Sequence, residues 1–264
     1  MFKYFFLYIP FAFLICACKG KIQSFKSPSE YISFGSTAIC LATNQWILIA
    51  ADSKVVSLSA NSEKLNDFGL TCKVHQKGNL IYAVVGFLKS SKPDIDLIRI
   101  ITNLNIKSKT LIEKINEIKT AIKDSLVFII NDTRKTNEKF FEAEILNKNV
   151  STLQFASFEG DKPLIGFLHF TCKKTWDDVV YLTDSINVTS QVPTLLPIGH
   201  KDAVDSILDA DPSFIKRFKN PQDLLTALIS YQALKTPESV NNKVSVIGIT
   251  PLGVAWYQRQ ESCK

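Results

Sequence analysis

Two apolar runs, residues 36–43 and 46–51, flank the polar pair Asn44-Gln45, a pattern that predicts two antiparallel strands joined by a tight turn. Residues 70–75 and 80–85, joined by Gln76-Lys77-Gly78-Asn79, predict a second hairpin. All four segments are apolar on both faces, so the sheet they form needs cover on each side. The period then lengthens. A stripe over 95–104, and a second through Leu111, Ile115, Ile118, Ile122, Leu126 and Ile129, predict two helices. Strand-like segments return at 140–147, 151–159, 164–172 and 179–182 and are expected to build a second sheet. Val204, Ile207 and Leu208 mark a helix over 201–210. Another begins at Asn220-Pro221, where a capping residue precedes a proline preset for the first helical position. Strands at 243–250 and 254–258, around Pro251-Leu252-Gly253, end the pattern. An order of strands, helices, strands, helices, strands fits two stacked sheets with helices outside. It equally fits an ordinary α+β domain.

The first residues follow a different rule. Lys3 precedes an apolar run over 4–17, which falls short of the roughly 20 residues of a membrane-spanning helix and reads as an export signal covering 1–18. Ile15-Cys16-Ala17-Cys18 resembles a bacterial lipobox, which implies an acylated Cys18 and a membrane contact through that lipid. Cleavage after Ala17 with an unmodified cysteine is the alternative. Residues 19–34, polar with Pro28 among them, then form a linker or propeptide, and 35–260 a single domain.

Composition narrows the function classes only a little. The chain is 46% hydrophobic with 18 phenylalanines, as a folded globular protein is, and its net charge of +6 is scattered over isolated lysines. Nothing points to nucleic acid. Of the 6 cysteines, Cys40, Cys72, Cys172 and Cys263 lie outside the signal and show no C-x-x-C spacing. Cys40 and Cys72 read as buried hydrophobes, and one disulfide is compatible with the set. The 3 histidines, His75, His169 and His200, stand apart from any ligand-spaced Glu or Cys, so no metal site or cofactor is expected.

Candidate chemistry sits in the two hairpins. Gly35-Ser36-Thr37-Ala38 is followed by Ile49-Ala50-Ala51-Asp52-Ser53-Lys54, then by Cys72-Lys73-Val74 and an apolar strand that ends at Gly86. This series resembles the proteasome β-subunit branch of the N-terminal nucleophile (Ntn) hydrolases. In that family a glycine precedes the nucleophilic threonine, a hairpin runs into Ala-Ala-Asp-Ser-Arg, and a lysine opens the next hairpin. The resemblance spans residues 35–257, is densest over 35–86, and selects the four-layer αββα sandwich. It implies amide-bond hydrolysis by a peptidase or amidase that processes itself after Gly35. Ser36 stands at the nucleophile's position relative to Asp52; Thr37 does so if the first hairpin is one residue shorter.

The implied roles follow from the chemistry. A hydroxyl is a weak nucleophile and needs a base, which a chain-terminal residue finds in its own α-amine. A nearby ammonium, Lys73, lowers that amine's pKa toward neutrality, and Asp52 holds the lysine in place. Gly86 offers a backbone N–H to the oxyanion. Two departures qualify the match. The polar loop 57–67 is longer than usual, and Thr236-Pro237-Glu238-Ser239-Val240-Asn241-Asn242 has asparagines where active relatives carry paired glycines, with Glu238 and Ser239 as possible substitutes. The competing expectation is a catalytically silent Ntn-like domain anchored at the envelope as a binding or assembly module. Homo-oligomerisation is implied by the family alone.

Overall fold

The computed structural model describes residues 31–35, 37–59, 66–91 and 94–263. The chain is an α+β protein built on antiparallel sheets. The first hairpin, β2 (Thr37–Ala42) and β3 (Ile47–Asp52), forms as its pattern requires. Thr43 closes its turn: the hydroxyl accepts from the Gln45 and Trp46 amides, both at 3.2 Å, while its own N–H donates to Trp46 O at 2.8 Å. Among the described residues this hairpin is the centre of a five-stranded sheet, ordered β12 (Thr194–Gly199), β2, β3, β13 (Val244–Thr250), β14 (Gly253–Gln258).

The larger sheet is organised by β7 (Leu80–Ser91), which is long enough to serve different partners along its length. Its first half pairs with β6 (Val74–Lys77) and β9 (Asn149–Glu159). Its second half pairs with β1 (Tyr31–Gly35) and β8 (Asp94–Asp96). Beyond β9 lie β10 (Lys162–Lys174) and β11 (Val180–Thr189); beyond β1 lie β4 (Lys54–Ser59) and β5 (Asn66–Leu70).

Period-two alternation explains why these strands are apolar on both faces. Leu80, Tyr82 and Val84 of β7 join a core cluster with α1 (Leu97–Asn103) and the stripe of α2 (Leu111–Thr136), whose six predicted apolar positions are all fully buried. Ile81, Ala83 and Val85 face the other way, into a cluster with Ala38, Cys40, Ile47 and Ile49 of the smaller sheet. That sheet's opposite face, with Ile39, Leu48 and Ala50, packs on two further helices, Asp202–Ala210 (α3) and Pro221–Lys235 (α4). Among the described residues no helix is long and apolar enough to cross a membrane.

Three expectations need correction. Residues 140–147 are not a strand: Glu138–Phe140 is a helical turn, and Phe141–Ile145 a π-helical one, because Phe141 and Ile145, four apart, are both buried. The strands at 151–159, 164–172 and 179–182 extend the sheet of the second hairpin instead of founding another, since the long β7 offers β9 an edge. The second sheet comes from the first hairpin, the last hairpin and β12, whose pattern is broken by Pro197, a residue tolerated because β12 is an edge strand. Tyr31–Gly35, which overlaps the end of the 19–34 segment, lies antiparallel to both β4 and β7.

Candidate active site

The register of the first hairpin sets Ala38 opposite Ala51, which leaves Thr37 beside Asp52 at the end of β3. Asp52 gathers three donors there. Its Oδ1 accepts from the Thr37 amide at 3.0 Å and from Lys73 Nζ at 2.9 Å; its Oδ2 accepts from the Lys54 amide at 2.9 Å. The side chains of Lys73 and Asp52 have 0% exposure. A buried ion pair survives only when its remaining polar valences are met, and the two backbone amides meet those of the carboxylate. Burial pulls the Lys73 ammonium below the usual lysine range, while the Asp52 charge and hydrogen bond oppose that pull.

Lys73 is placed by the backbone on either side of it. Its carbonyl accepts from the Val84 amide at 3.1 Å, and the preceding residue, Cys72, is disulfide-bonded to Cys263 across a separation of 191 residues. The half-expected disulfide therefore exists and involves Cys72. Cys40 and Cys172 are free, and burial raises both thiols well above their ordinary range.

Thr37 is fully buried, and its hydroxyl donates to His200 O at 2.6 Å. The 236–242 stretch packs against the residues that follow Asp52: Asn241 Oδ1 accepts from the Ser53 amide at 3.3 Å, and Pro237 O accepts from Lys54 Nζ at 2.8 Å. Ser53 Oγ donates to Lys243 O at 3.0 Å. Glu238 is exposed, and Ser239 Oγ bonds within its own turn, to Thr236 O at 3.4 Å. Of Glu238, Ser239 and Asn241, it is Asn241 whose side chain bonds to the segment that follows Asp52.

Gly86 marks the point where β7 changes partners, opposite Ser151 on one side and Gly35 on the other. Its φ is +91°, and a Cβ there would lie 2.3 Å from Val150 O and 2.8 Å from Ser151 Cα. Only glycine fits, on both backbone conformation and space. A cavity of about 600 Å³ opens beside it, lined also by His169 and His200.

The fold thus brings Thr37, Asp52 and Lys73 into direct contact and sets Gly86 opposite Gly35. Ser36 and Cys18, with the export signal, lie outside the described residues. The His200 carbonyl and the Asn241 amide were not foreseen, because a backbone acceptor and a loop asparagine carry no sequence signature. Among the described residues, no cluster of His, Cys, Asp and Glu is arranged to hold a metal. No protein-family model matches the chain, and no curated protein matches it in sequence.

Proposed function

We propose that this protein is a self-processing amide-bond hydrolase of the proteasome-like Ntn type, with the four-layer αββα sandwich of that group and Ser36 as its nucleophile. One observation carries the reading: the buried Lys73–Asp52 pair is hydrogen-bonded to the amide of Thr37, the residue next to Ser36, and Gly86 stands opposite Gly35. Thr37 is the poorer nucleophile, since its hydroxyl is buried and committed to His200 O.

In self-cleavage, Ser36 Oγ attacks the Gly35 carbonyl carbon and its proton passes to the departing nitrogen as the Gly35–Ser36 C–N bond breaks. Water then hydrolyses the ester, leaving a Gly35 carboxylate and a free Ser36 α-amine. In turnover that amine takes the hydroxyl proton and returns it to the leaving amine, while the Lys73 charge keeps it unprotonated near neutral pH. The Gly86 N–H is the oxyanion donor, worth about 100-fold or more in rate. β1 occupies the slot between β4 and β7 that an extended peptide would enter by strand addition once the segment has left. In the uncut chain a lipid at Cys18 tethers the domain to the envelope; cleavage after Gly35 releases it.

Intact mass and N-terminal sequencing of protein purified from an exporting host test the reading. A mature chain beginning at Ser36, with Ser36→Ala staying uncut, supports it. An acylated Cys18 on a chain that is never cut overturns it and leaves the silent envelope module.

A further inference from the structure

The cavity beside Gly86 is not explained by the Asp52–Lys73 pair. β1 meets β7 from Gly86 onward, with Gly35 opposite Gly86, Phe34 opposite Phe87 and Ile32 opposite Ser90. The cavity touches β7 at Val85 and Gly86, on the other side of that meeting point. His200, whose carbonyl holds the Thr37 hydroxyl, is also in its wall. The space therefore adjoins Gly86 and the residue that holds Thr37, on the side of Gly86 away from β1.

Its wall has a definite chemistry. Phe167 and His169, two apart on β10, stack with ring centroids 6.0 Å apart and planes within 6°. Asn149 Nδ2 donates to Thr152 Oγ1 at 2.8 Å, and that hydroxyl lies 3.0 Å from His169 Nδ1, with Asn149 Nδ2 at 3.3 Å from the same atom. An amide NH₂ only donates, so Nδ1 is the acceptor and the ring proton sits on Nε2. Burial holds the imidazole below its ordinary pKa and so neutral. Among the described residues, no hydrogen bond engages Nε2. No aspartate or glutamate lines the cavity to receive a cation, and its size, about 600 Å³, suits a large side chain.

Resting on the hydrolase reading above, we propose that this cavity is the leaving-group pocket and selects a neutral aromatic residue bearing a hydrogen-bond acceptor, tyrosine above all, immediately after the scissile bond. His169 is its specificity-determining residue: the Phe167–His169 pair receives the ring, and Nε2–H donates to the phenolic oxygen.

The test uses the processed protein and peptides that differ only in the residue after the cleaved bond. Tyrosine should exceed phenylalanine in kcat/KM by about threefold to tenfold, the usual worth of one neutral hydrogen bond, and lysine should be the poorest. His169→Phe should erase the tyrosine preference, bringing the tyrosine-to-phenylalanine ratio of kcat/KM to about one whatever the change in absolute rate. In parallel, the His169 ring resonance should shift on titration with tyrosine amide and not with lysine amide. Equal cleavage of all peptides, or a tyrosine preference that survives His169→Phe, overturns the pocket and spares the hydrolase. A cut chain that hydrolyses none of them, yet whose His169 resonance responds to tyrosine amide, overturns the hydrolase and keeps the pocket's ligand. Neither hydrolysis nor a shift overturns both.

Discussion

Lys73→Met separates the structural from the chemical role of the buried pair. The substitution keeps most of the side-chain volume but strips the Asp52 carboxylate of its cation at a position with no solvent exposure. Breaking a buried pair by removing one partner costs about 3–5 kcal/mol. Asp52 still receives the Thr37 and Lys54 amides at 3.0 and 2.9 Å, which puts the expected loss near the lower end, about 3 kcal/mol. For a domain of this size that corresponds to a Tm lower by roughly 6–12 °C. Adding Asp52→Asn removes the stranded charge, so the double variant should recover about 1–2 kcal/mol of the loss. Urea denaturation measures both effects, with every chain carrying Ser36→Ala so that none is cut. Restored to Ser36, both the single and the double variant should fail to cleave after Gly35, although the double is the more stable. Chemistry and stability then part company. A single variant within about 0.5 kcal/mol of the parent, or a double variant less stable than the single, would refute the coupling of Lys73 to Asp52.

Two further outcomes follow from the geometry. Gly86→Ala forces a left-handed backbone on a residue with a Cβ and drives that atom into Val150 O and Ser151 Cα, which are both backbone and cannot swing aside; self-cleavage should fall by 100-fold or more and stability by about 3 kcal/mol. Normal cleavage kinetics in this variant would count against Gly86 as the oxyanion residue. Burial also depresses the pKa of His75, which stacks on Tyr82, and of His169 below the ordinary 6.5. The unfolded chain therefore binds protons first, so stability present above pH 6.5 is lost as pH falls toward the depressed values. Urea midpoints at pH 7.5 and 5.5 should show this loss, and His75→Gln with His169→Gln should flatten it; a gain in stability on acidification contradicts the assignment.

The strands that were legible are those whose neighbours in sequence are their neighbours in space. Thr43 to Trp46 and Gly78-Asn79 close hairpins between continuous apolar segments, and the α2 stripe has one period throughout. Tyr31–Gly35 was illegible for the opposite reason: five residues form a strand only because β4 and β7 are already there to flank them. The π-helical turn at Phe141–Ile145 shows the limit of alternation, since Phe141 and Ile145 fit a helical face as well as a strand pattern. At the site, Asp52 and Lys73 are 21 residues apart, and no local rule joins them; family resemblance did. The Cys72–Cys263 bond lay beyond pattern altogether, because a single bond could join any two of the four cysteines.

That bond also ties the site to a distant part of the chain. Lys73 is anchored through its neighbour to Cys263, and β3, which carries Asp52, is flanked by β13 at Val244–Thr250. A chain that has only reached the middle of the molecule holds Asp52 and Lys73 but neither the strand nor the staple that flanks them. On the hydrolase reading proposed above, cleavage after Gly35 would wait for the Cys72–Cys263 bond to close, which needs oxidising conditions. A cystine that spans 191 residues would then couple the order of the site to the folding of the whole domain.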